Sequence, residues 1–199
     1  MSATAIDLLA PVHRLTIEQY RRMDEVGLFD DGVRVELIDG VIVAMSPIGR
    51  RHERGVIWLT RALVLQLGET HVVSPQNSVA MPQLRSMPQP DIAIKFTSEV
   101  LERTDELPAL IVEVSDSSLR FDRVTKSRLY ARFGIEDYWI YNVDEEVVEV
   151  HREPAGDAWG ARTVHGAGEV LRPLLLPEVT VELEPLLAFT AGRSAPHAA

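Results

Sequence analysis

The sequence predicts an α/β domain in which a mixed central β-sheet is flanked by helices, and three observations carry that prediction. ALIVEV at 109–114 is almost wholly apolar, the pattern of a central strand covered on both faces. HERGVIWLTRALVLQL at 52–67 has the length and apolar spacing of a core helix. The Arg/Lys-rich stretch 121–133 puts a second helix between that strand and the pair DYWIYN and VVEVHRE. A chain of 199 residues with 46% hydrophobic residues suffices for one core. The domain is expected over 13–190, with 1–12 and 191–199 as disordered tails.

Thr16 followed by Gln19 reads as a capping box, with Leu15 and Tyr20 as a hydrophobic staple. A helix over 17–26 comes next, showing Ile17, Tyr20 and Met23 on one face and closing at Gly27 as its C-cap. VRVELI and VIVAMS flank Asp39-Gly40, the signature of a type I′ hairpin. Alternation places Val33, Val35 and Leu37 on one face of the first strand and Arg34 and Glu36 on the other. The helix at 52–67 directs Val56, Leu59, Leu63 and Leu67 to the core and ends at Gly68. Strands are then expected at 72–73, 78–81, 91–96 and 109–114. The helix 121–133 ends at Gly134, and the next strands pair across a turn at 143–146. Residues 170–189 read as Pro-punctuated apolar strands with a short helix.

Composition narrows the chemistry. Cysteine is absent, which excludes disulfides and a thiolate nucleophile and leaves oxygen or imidazole for any metal. Oxygen donors favour Mg²⁺, Mn²⁺ or Ca²⁺. The net charge of −10 argues against a protein that coats nucleic acid through general basicity. Two local basic segments remain, Arg50, Arg51, Arg54 and Arg61, and Arg120, Arg123, Lys126, Arg128 and Arg132, either of which is also what a solvated helix face looks like. No leader pattern or run of about 20 apolar residues is present, so no membrane partner is expected and the cytoplasm is the expected location.

Two acids stand out. Asp91 opens the strand DIAIKF, and Glu113 sits inside ALIVEV, where an ionised carboxylate is costly unless paired or metal-bound. If the strands are neighbours, both can converge on one cation, with the Val114 carbonyl as a third oxygen ligand. A salt bridge from Glu113 to an arginine of the next helix is the alternative. The chain has 20 Lys and Arg together, of which only Lys95 and Lys126 are lysines. Lys126 on the helix after Glu113 is therefore a compact charge where arginine is the rule, suited to stabilising a phosphorane or positioning an attacking water. Chance placement on an exposed face is the bland reading. His52 can contact phosphate or serve as a helix-terminal hydrogen-bonding residue. Arg123 is a candidate substrate contact, and Tyr130, one turn beyond Lys126, either orients it or packs in the core.

ELIDG at 36–40, SPIGRRH at 46–52, PDIAI at 90–94, IVEVSDSS at 111–118 and Lys126 with Tyr130 leading into GIEDYWI at 134–140 resemble the Uma-two family of endonucleases in the PD-(D/E)XK superfamily. The resemblance covers about residues 15–150. It implies a restriction-endonuclease-like core with Asp91 and Glu113 as Mg²⁺ ligands, Mn²⁺ a possible substitute. The superfamily's lysine two residues after the second acid is here Ser115, and the resemblance passes its role to Lys126. It also brings Glu36, the hairpin acid, to the same cation, where the residues alone allow an ordinary cross-strand ion pair. The activity it implies is metal-dependent endonuclease cleavage of nucleic acid, DNA being the expected substrate and a homodimer the expected assembly. A non-catalytic binding or regulatory module on the same fold, and a hydrolase of other phosphoesters, are the competing readings.

Overall fold

The computed structural model describes residues 11–29, 32–102 and 107–193. The chain divides into two compact units, Met1–Met45 with Val79–Pro88, and Ser46–Ser78 with Gln89–Ala199.

In the first unit, α1 (Ile17–Glu25) starts at the expected capping box. Thr16 Oγ1 accepts from the Gln19 N–H at 3.2 Å, and Gln19 Oε1 accepts from the Thr16 N–H at 2.9 Å. Its C-cap is Val26, with Gly27 (φ +76°) the residue beyond, because glycine serves the left-handed position after the cap. β1 (Val35–Ile38) and β2 (Val41–Ala44) pair antiparallel with Ile38 opposite Val41. Asp39 and Gly40 have φ of 49° and 74°, the two left-handed residues of a type I′ turn. The strand expected at 78–81 does not form. Met81 makes one isolated bridge to Ser86 across a 3₁₀ turn, Pro82–Leu84, since Pro82 has no N–H to continue a ladder.

The second unit is built on a six-stranded sheet of order β3 (His71–Pro75), β4 (Ile92–Phe96), β5 (Leu110–Ser115), β6 (Asp137–Asn142), β7 (Val147–Ala155) and β8 (Ala158–His165). Every neighbouring pair is antiparallel except β5 and β6. That parallel pair needs a crossover, supplied by residues 119–133 in three parts: α4 (Leu119–Phe121), a π-helical turn Asp122–Lys126, and α5 (Ser127–Phe133), closed by Gly134 at φ +91°. β8 is not foreshadowed in the sequence. As an edge strand it has one sheet neighbour and mostly exposed side chains, so no apolar run marks it.

The sheet has two unlike faces. Ile92, Ile94, Val112, Val114, Trp139, Val148 and Val150 point into one apolar core with Val56, Leu59 and Leu63 of α2 (Arg50–Val64). α2 approaches closely at Gly55, where a Cβ would lie 2.8 Å from Val114 Cγ1. The helix stops at Val64, short of the predicted Leu67, as Gln66 turns to bond both the N–H and the carbonyl of Thr180 at 2.8 Å. α3 (Thr97–Glu102) follows β4. The short strands β9 (Val170–Leu171) and β10 (Val181–Glu182) pair antiparallel, and α6 (Leu183–Ala191) adds Leu183, Leu186 and Leu187 to the core. The predicted tails lie outside the described residues, apart from 11–12 and 191–193. Among the described residues no helix is long and apolar enough to cross a membrane.

Candidate active site

The second sheet face carries buried polar groups among apolar ones, because the residues alternating with the core positions include Glu113, Ser115, Glu149 and His151 beside Ile111 and Ile140. Glu113 is 2% exposed, which makes its partners decisive. Its Oε1 accepts from Lys126 Nζ at 3.0 Å and from the Tyr130 hydroxyl at 2.7 Å. Its Oε2 is 3.4 Å from the Asp91 N–H. Asp91 stands just before β4, whose Ile92 pairs with Val112 of β5, so the two strands are neighbours and the Glu113 carboxylate reaches the Asp91 main chain across them. Asp91 Oδ2 accepts from the Val114 N–H at 2.8 Å, and Oδ1 lies 2.8 Å from His52 Nε2 in the first turn of α2.

Lys126 is 4% exposed, so it is not a surface lysine. The sequence alternative of an arginine pairing with Glu113 gives way to this lysine. Tyr130 meets Lys126 at the shared Glu113 oxygen, four residues further along the helix. Val114 enters through its N–H, while its side chain belongs to the apolar core. His52 is a hydrogen-bonding residue of the first turn of α2, its Nε2 reaching Asp91, and its Nδ1 is buried with no hydrogen-bond partner among the described residues.

The π turn that delivers Lys126 is held at Asp122. The Asp122 carbonyl accepts from the Ser127 N–H and from the Tyr138 hydroxyl at 3.2 Å. Its carboxylate accepts from Ser115 Oγ at 2.7 Å and Ser118 Oγ at 2.5 Å. Ser115, at the position of the superfamily lysine, is thus a donor to Asp122. Burial raises the Asp122 pKa above the ordinary carboxylate value, and the nearby Asp91 charge adds to this. The Lys126 charge and the two serine hydroxyls act in the opposite direction. Sequence reasoning missed Asp122, although an acid four residues before the lysine was a visible signal.

Arg123 is directed elsewhere. Its Nε donates to Glu149 Oε1 at 2.7 Å and its Nη2 reaches the same oxygen, while Arg162 Nη2 donates to Glu149 Oε2 at 2.8 Å. Burial pushes the Glu149 pKa up, but His151, whose Nε2 lies 3.5 Å away, and the donors of Arg123 and Arg162 more than reverse this and bring it to about 2. The sequence signal was available, since VVEVHRE embeds an acid between valines just as ALIVEV does. The other basic segment is partly engaged too, Arg51 pairing with Asp116 at 2.5 Å and Asp144 at 2.7 Å. Glu36 is buried on β1 of the first unit, opposite Val43. Among the described residues no group of three or more His, Cys, Asp or Glu side chains is gathered as a metal-holding set.

A solved structure described as a putative nuclease belonging to DUF820, from Anabaena variabilis ATCC 29413, shares this fold with a TM-score of 0.69. The match covers 90% of this chain and 99% of that one at 17% identity, so the likeness speaks for the fold alone. No curated protein matches the sequence. The family model Uma2, described as "Putative restriction endonuclease", matches residues 17–185, a span holding every strand and the whole Asp91, Glu113 and Lys126 arrangement. A match of that extent makes the chain a member of the Uma2 family of restriction-endonuclease-like nucleases.

Proposed function

We propose that this protein is an endonuclease that uses a divalent cation, Mg²⁺ in the first instance, to hydrolyse phosphodiester bonds of nucleic acid. The observation that carries the reading is the buried meeting of Asp91, Glu113 and Lys126 at the ends of β4 and β5.

The donor set fits a hard cation. The carboxylates of Asp91 and Glu113, on neighbouring strands, would hold the cation together with the Val114 carbonyl, and water and substrate phosphate would complete it, which is the habit of Mg²⁺ sites. A cation held by Asp91 and Glu113 supplies Lewis acidity toward phosphoryl oxygen and lowers the pKa of a nearby water. The chain's own residues do the rest. Val114 N–H and His52 fix the two oxygens of Asp91. Tyr130 fixes Glu113 through Oε1. Lys126, held in a low-dielectric surround, stabilises negative charge that grows on the phosphoryl group in the transition state.

The first test is calorimetric titration of Mn²⁺ into the wild-type protein and into Asp91→Ala, because it needs no substrate. Saturable binding that is lost in Asp91→Ala supports the centre, and digestion of DNA and RNA side by side then defines the substrate. A wild-type protein that binds no Mn²⁺ even with a non-cleavable oligonucleotide present overturns the reading in favour of a non-catalytic module.

A further inference from the structure

We propose that Arg123 and Arg162, spread on the buried Glu149, form a seat for a backbone phosphate of the substrate at a distance from the phosphate that is cleaved. This inference rests on the nuclease reading.

The register places Glu113, Ile140 and Glu149 in one row across β5, β6 and β7. The two glutamates therefore share a sheet face and stand two interstrand steps apart, roughly 10 Å. Successive phosphates of one strand rise about 3.4 Å along the helix axis and lie farther apart in space because the strand winds around it, so this span corresponds to about one to two phosphate steps. A strand with its reacting phosphate at Lys126 has another phosphate at the reach of the arginine pair.

The pair is built to present charge. Arg123 takes Glu149 Oε1 and Arg162 takes Oε2, each through its Nε and Nη2 edge. That fork leaves the Nη1 donors of both guanidiniums on the edge turned away from the carboxylate. Glu149 is 1% exposed, whereas the Arg123 and Arg162 side chains are 34% and 52% exposed. Two guanidiniums share the one buried carboxylate of Glu149, and the charge that this leaves over is offset only by the exposed Glu145 beside Arg123. Trp159 Nε1 donates to Ser127 Oγ at 2.9 Å, which ties the strand of Arg162 to the helix that follows Arg123 and keeps the two in register. Such preorganisation lowers the ordering cost of binding. Glu145, 64% exposed with Oε2 3.8 Å from Arg123 Nη2, is the anion that an arriving phosphate meets.

The experiment is fluorescence anisotropy of a labelled short DNA duplex, and of an RNA of the same sequence, in EDTA to prevent cleavage, over about 50–200 mM salt. Arg162→Gln is expected to weaken binding about two- to fivefold and to reduce the slope of log K against log salt by about one. Arg162→Lys is expected to restore that slope, and Glu145→Gln to tighten binding. A brace that serves only the fold would lower the melting temperature of Arg162→Gln and leave the slope unchanged. An unchanged slope in a protein whose wild type binds and cleaves overturns the seat and leaves the nuclease reading standing. A wild type that neither binds nor cleaves overturns both.

Discussion

Lys126 Nζ lies 3.0 Å from Glu113 Oε1 across 13 residues of sequence, with 5% and 3% of the two side chains exposed. A pair so enclosed is costly to break from either side, because the partner left behind is an uncompensated buried charge. The charge of Lys126 and the ionisation of Glu113 are therefore one structural fact.

Lys126→Met is expected to reduce cleavage by about 10²–10³-fold, the usual loss when one preorganised transition-state contact is removed. Mn²⁺ binding should survive within a few fold, since the carboxylates remain. Single-turnover cleavage beside calorimetry checks this, and wild-type turnover in the variant would remove Lys126 from the chemistry.

Tyr130→Phe deletes one of the two donors to Glu113 Oε1 without opening a cavity. Urea denaturation should show a loss of about 1.5–3 kcal/mol, the range for a hydrogen bond to a charged group. Cleavage should fall less than in Lys126→Met.

Glu149, with its pKa brought down to about 2 from 4.5, makes acid stability specific. A carboxyl depressed in the folded state contributes stability that is fully present above its unfolded value and is lost as pH falls through the folded one. The urea midpoint of the wild type should therefore exceed that of Glu149→Gln above about pH 4.5, and the gap should close between there and about pH 2. A gap that does not change with pH would contradict the ion-pair assignment.

Gly55→Ala places a methyl 2.8 Å from Val114 Cγ1, with Tyr141 Cε1 at 3.4 Å behind it. Overpacking of this kind costs about 1–3 kcal/mol, against which alanine's better helix propensity returns at most about 1 kcal/mol. The melting temperature should fall. Mn²⁺ affinity should fall with it, because the backbone that shifts is the one whose N–H holds Asp91.

Much of this was legible because it comes from local rules. The Asp39-Gly40 turn needs two left-handed residues, and Thr16 with Gln19 closes its own loop of donors and acceptors. Asp91 and Glu113 were legible as acids where apolar residues belong. β8 escaped because an exposed edge strand need not be hydrophobic, and the segment 78–81 misled because its alternation ran into Pro82. Asp122 and Glu149 carried signals that went unread, an acid four residues before Lys126 and an acid between valines. Arg162 was hidden for another reason, since its role is set by Glu149, 13 residues away on the neighbouring strand.

The π turn at Asp122–Lys126 amounts to a slip in the screw of the crossover helix. Deleting Thr125 would return the segment to about 3.6 residues per turn and rotate the residues before the cut by about 100° relative to those after it. With α5 docked through Tyr130, Asp122 would swing away from Ser115 on the sheet. With Asp122 docked, Lys126 would miss Glu113. The segment consequently tolerates changes of residue type far better than changes of residue number, and its length is as much a part of the site as the lysine it carries.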